Sequence, residues 1–175
     1  MYSALDIANE YIALGNKTNI PITPLRLQKM LYFTQVFSFN SFEEGIIIEE
    51  TEAWDKGPVY YDVYKKYECY GDNAITTYNK PMNLDYQTQR VLLDVFKKYA
   101  TMPIGNLIDE IHAKGTPWDL SYNRNHKAYR TIIPKEYMKQ YFNSLDYPCV
   151  LDVCNENKTV FVDENTIISK DEWDW

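Results

Sequence analysis

Apolar residues recur at three- and four-residue spacings through most of the first 145 positions, and each such run predicts a helix. The segment SALDIANEYIAL, residues 3–14, puts Leu5, Ala8 and Ile12 on one face, with Ser3 placed to cap it and Gly15 expected as the residue that ends it. The strongest helix start follows: Thr23 as N-cap and Pro24 at the first helical position, where a missing N–H costs nothing. The run TPLRLQKMLYFTQVFSF that they open is apolar nearly all round, which predicts a helix in the middle of a bundle. Residues 46–54, IIIEETEAW, read as a short extended segment, and Gly57-Pro58 is expected to open a helix over 58–70 with Tyr60, Val63, Tyr64 and Tyr67 in its stripe. Further stripes predict helices near 86–99, after Pro103 and after Pro134, with a short turn at Thr116-Pro117-Trp118. Beyond Tyr147 the period changes. CVLDV, NENK and TVFVD read as two short strands about a polar turn. The expected architecture is therefore mainly α: a compact bundle of about six helices over 1–147, with a small C-terminal β-hairpin and acidic tail over 148–175.

Charge changes the picture in one respect. The formal net charge is −7, and residues 151–175 carry seven acids against Lys158 and Lys170, while the first 150 residues are nearly balanced. A nucleic-acid face needs clustered lysine and arginine to displace counterions, so no nucleic-acid partner is expected. The acidic tail would serve as a solvated end or meet a basic partner. No apolar run approaches the ~18 residues of a membrane span, and no leader segment is visible. Cys69, Cys149 and Cys154 form an odd set without a CxxC pair, which fits reduced thiols in a cytoplasmic protein.

Candidate chemistry is sparse. The two histidines, His112 and His126, have no G-x-S-x-G or comparable nucleophile setting to serve, and there is no phosphate-binding glycine loop. Cys149 and Cys154 have no histidine near enough to complete a metal site, and neighbouring acids such as Asp109 and Glu110 do not face one another on a helix. No catalytic set, metal or cofactor is therefore expected. The stretch EAWDKGPVYYDVY, residues 52–64, stands apart because it joins amphipathic aromatics to a Gly-Pro break. Trp54, Lys56, Gly57, Pro58 and Tyr61 are its candidate partner-binding residues, Trp54 and Tyr61 being of the kind that dominates interfaces. The other reading makes the same residues only a well-packed helix entrance. A small enzymatic site around 54–60, with His112 or an aspartate as base, is a further alternative.

Three segments together, LRLQKMLYFTQ at 25–35, EAWDKGPVYYDVYKKY at 52–67 and LIDEIHAKGTPW at 107–118, resemble the Panacea domain of SocA-like antitoxins in order and spacing. The matching motif residues are Leu27, Gln28, Lys29, Leu31, Tyr32, Ala53, Trp54, Gly57, Pro58, Val59, Pro117 and Trp118, most of them expected to build the fold. The resemblance implies a mostly helical domain, bacterial or phage-borne, that neutralises a cognate toxin by direct protein–protein contact. A branch of the family that delivers its toxin to a cytoplasmic protease makes a proteolytic adaptor, or another phage–host interaction module, the alternative.

Overall fold

Helix α2 (Pro24–Ser38) begins as its sequence predicts: the Thr23 hydroxyl accepts from the Arg26 N–H at 3.3 Å, with Pro24 in the first turn. Every residue from Leu27 to Ser38 is buried, because helices close round it on all sides. The computed structural model describes residues 1–77, 82–122 and 130–145. Among the described residues the chain forms α1 (Ala4–Thr18), α2, β1 (Thr51–Trp54), β2 (Gly57–Val59), α3 (Tyr61–Tyr67) with a following 3₁₀ turn, α4 (Tyr86–Tyr99), α5 (Ile104–His112), α6 (Pro117–Ser121), β3 (Thr131–Ile133) and α7 (Lys135–Ser144). The protein is mainly α, as the periodicity predicts. Helices α1, α3, α4, α5 and α7 all pack on α2. Its Phe33 ring stacks on Tyr99 of α4 with centroids 4.1 Å apart, and its Arg26 guanidinium donates to the carbonyls of Tyr99 and Met102 at 2.6 and 2.8 Å. Those bonds satisfy acceptors that the end of α4 would otherwise leave open.

Three expectations are corrected. Helix α1 does not stop at Gly15 but runs on to Thr18, and Asn19 takes the left-handed position with φ 57°. Gly15 is small for another reason: a Cβ there would stand 2.7 Å from the Ile20 carbonyl oxygen and 2.6 Å from Ile22 Cγ1, where the chain folds back over the helix. The extended segment is shorter than 46–54 and is paired. The third correction concerns Gly57-Pro58, which opens a strand rather than a helix. Asp55 and Lys56 make a two-residue turn, Gly57 adopts φ +103°, and the chain returns so that Glu52, Ala53 and Trp54 face Val59, Pro58 and Gly57. Pro58 is tolerated because β2 is an edge strand in the antiparallel order β2-β1-β3. The helix starts only at Tyr61. Strand β3 carries too short an apolar run, Thr131–Ile133, to be recognised by pattern, and its pairing with β1 is tertiary.

The expected second unit over 148–175, with its hairpin, acidic tail, Cys149 and Cys154, lies outside the described residues, as does His126. Among the described residues no helix is long and apolar enough to cross a membrane.

Candidate functional site

The β1–β2 hairpin is held by its backbone, and the side chains that hold it come from distant parts of the chain. Gln28 of α2 reaches Tyr60, where its Oε1 accepts the Tyr60 N–H at 2.8 Å and its Nε2 donates to the Tyr60 carbonyl at 3.2 Å. Lys29 donates from Nζ to the Pro58 carbonyl at 3.0 Å. Trp118 of α6 donates from Nε1 to the Trp54 carbonyl at 2.9 Å. The Trp118 ring is itself fixed between His112, stacked at 3.8 Å and 11°, and Tyr122, stacked at 4.6 Å and 16°. Leu27, Leu31 and Tyr32 are core residues of α2 on either side of these tethers. The three motif segments thus meet at one place. Their polar members grip main-chain atoms, so the grip does not depend on which side chains the hairpin turn carries.

Replacing Gln28 by leucine tests one tether. The Tyr60 carbonyl keeps the Tyr64 N–H at 3.0 Å, but the buried Tyr60 N–H loses its acceptor. Such an orphan costs about 1–3 kcal/mol. Urea unfolding of Gln28→Leu is expected to show that loss, together with faster hydrogen exchange at Tyr60. An unchanged midpoint would mean that the tether contributes nothing.

Within this frame Gly57 and Pro58 are buried, Trp54 and Tyr61 are half-buried, and Asp55 and Lys56 are exposed. Trp54 is oriented by its Nε1 donating to Glu52 Oε2 at 2.7 Å and by its ring lying 4.9 Å from Tyr64. The Arg130 guanidinium lies 4.1 Å above the Tyr61 ring and 3.9 Å from Glu52. Asp55 accepts the Tyr122 hydroxyl at 2.6 Å. Beside the hairpin opens a cleft of ≈ 610 Å³, walled by Trp54 and Val59 on one side, the first turns of α2 on another, and Val63, Tyr64 and Tyr67 of α3.

Lys29 forms part of the cleft wall, yet is only 1% exposed. Burial lowers its ammonium to about 7, and no described carboxylate offsets that effect. Gly57 is what makes room for it, because a Cβ at position 57 would lie 2.7 Å from Nζ and 3.5 Å from His112 Nε2. His112, offered with an aspartate as the candidate base of an enzymatic reading, packs against Trp118 behind the hairpin. Sequence reasoning missed Arg130 and Tyr122 altogether, since both join the site from the region around β3 and α6 by tertiary contact. The signal available for Lys29 was a lysine inside an otherwise apolar helix, a position that needs a partner or a purpose.

The three segments that grip this hairpin fall within, or almost wholly within, a stretch of sequence that matches a known domain. Residues 27–119 match the family described as antitoxin SocA-like, Panacea domain, and the chain belongs to that family. Its relatives include antitoxin SocA of Caulobacter vibrioides (strain NA1000 / CB15N), which is 28% identical over 133 residues, covering 67% of this chain and 69% of that protein. No solved structure matches the chain at a significant level.

Proposed function

We propose that this protein is a cytoplasmic antitoxin that neutralises a cognate protein toxin by direct binding, with the hairpin turn and the adjacent cleft as its contact surface. The observation that carries the reading is the hairpin itself. Its backbone is held by Gln28, Lys29 and Trp118, while Trp54 and Lys56 line an open cleft and Tyr61 follows at the start of α3. A rigid backbone that presents aromatic and cationic side chains loses little entropy on binding. The family to which the chain belongs, and the antitoxin SocA relative, support the same conclusion.

Co-expression with the product of the adjacent reading frame tests it, with growth and co-purification scored together. Restored growth with a stable complex is the expected result. Restored growth with loss of the neighbouring protein would instead indicate delivery to a protease. In the same assay, Trp54→Ala combined with Lys56→Ala is expected to weaken binding by tenfold or more, as loss of a ~2 kcal/mol hot spot does. Helical content should be unchanged. Full neutralisation by this variant would remove the turn from the interface.

A further inference from the structure

The cleft is polar at its two ends and apolar between them. Its hairpin end holds Lys29, Lys56 and Arg130 together with Asp55, and Glu68 and Asp72 follow α3. The carboxylates nearest the hairpin are already engaged: Glu52 by Trp54 Nε1 and Arg130, and Asp55 by the Tyr122 hydroxyl. Glu68 is paired with Lys65 at 2.6 Å. Lys29 differs from all of these. Its ammonium has three hydrogens to donate, and among the described residues its acceptor is the single Pro58 carbonyl, with no carboxylate within ion-pair distance. A buried ammonium without an anion is costly, and methionine or leucine would fill such a position at no electrostatic cost.

The geometry points to a carboxylate-binding site in the cleft, in which Lys29 receives an acidic side chain or chain terminus of the partner protein while apolar residues beside that carboxylate lie against Val59, Val63 and Tyr64. This rests on the antitoxin reading for its occupant, but the site can be tested without the partner. Lys29 sits near the middle of the pH scale because burial alone acts on it. An incoming carboxylate favours the protonated amine and moves its titration upward. Binding is then independent of pH between about 5, where the carboxylate itself is ionised, and about 7, and weakens by up to ~tenfold per pH unit above that, as a proton must be taken up. The other charged groups that border this niche are His112 behind Gly57 and, on the cleft side, Asp55, Lys56, Glu68, Asp72 and Arg130.

The experiment follows the Lys29 Cε resonance of ¹³C-lysine-labelled protein through a pH titration in sodium acetate and in sodium chloride at equal ionic strength. Lys29→Met identifies the signal, and Lys29→Arg does so if the methionine variant does not fold. The expected result is a Lys29 midpoint near 7 in chloride that rises with acetate concentration while the other lysines do not move. Identical titration of Lys29 in the two salts would overturn the site. Where the adjacent gene product forms a complex, Lys29→Met is expected to weaken it tenfold or more and to abolish its pH dependence, and unchanged affinity and pH profile would overturn the proposal. If that protein does not bind at all, the antitoxin reading fails while the acetate titration still decides the carboxylate site.

Discussion

Trp118→Ala is expected to cost about 3–5 kcal/mol, the range for deleting a buried tryptophan. Trp118 is 2% exposed, its ring lies between His112 and Tyr122, and its Nε1–H closes on the Trp54 carbonyl. Removing it takes away the stacking, leaves a cavity behind the sheet and frees one end of the hairpin. Against a usual total of 5–15 kcal/mol the loss is large. For a chain of this length it corresponds to a fall of roughly 6–20 °C in Tm. Trp118→Phe keeps most of the stacking and loses the hydrogen bond, so about 1–2 kcal/mol is expected. Thermal unfolding of the two variants separates packing from the tether. Equal losses would mean that the hydrogen bond, rather than the ring, is what matters.

Gly57→Ala is expected to destabilise by about 2–4 kcal/mol, combining a conformation that L-residues rarely adopt with steric overlap. The φ of +103° strains any side chain, and the new Cβ would stand 2.7 Å from Lys29 Nζ. The two contributions can be separated. Methionine at 29 is one atom shorter than lysine, so in a Lys29→Met background Gly57→Ala should lose its closest overlap, that with Nζ, and keep its backbone strain and the 3.1 Å approach to the Cε position. A double-mutant cycle read by urea unfolding then gives a coupling of about 0.5–3 kcal/mol. Purely additive losses would show that Lys29 moves aside without cost and that only the backbone geometry demands glycine.

Most of the helices were legible because each is specified locally. Thr23-Pro24 and Thr116-Pro117 carry cap and first turn in adjacent residues, and both helices start where those pairs place them. Tyr86–Tyr99 and Ile104–His112 show their buried faces as plain periodic stripes. The hairpin was not legible. Gly-Pro ahead of a helical stripe has the same local appearance whether the residues continue as a helix or first form a strand, and the decision rests on pairing with β1 and on the Gln28 amide. Gly15 misled for a related reason: as a glycine near a helix end it looks like a terminator, whereas its smallness serves a chain crossing that only the folded molecule contains.

By itself, the sequence determined the mainly α class, the central place of α2 and the motif residues that mark the family, because caps, periodicity and motif spacing are properties of short segments. The tertiary structure decided what the motif does. Gln28 and Lys29 are polar residues on a helix that periodicity marks only as buried, and their purpose appears once the Pro58 and Tyr60 backbone lies against them. The cleft, its opposed charges and the contributions of Tyr122 and Arg130 likewise arise from residues far apart in the chain. A hydrogen bond or an unpaired buried charge is a relation between two places, and the sequence fixes such a relation only through the fold.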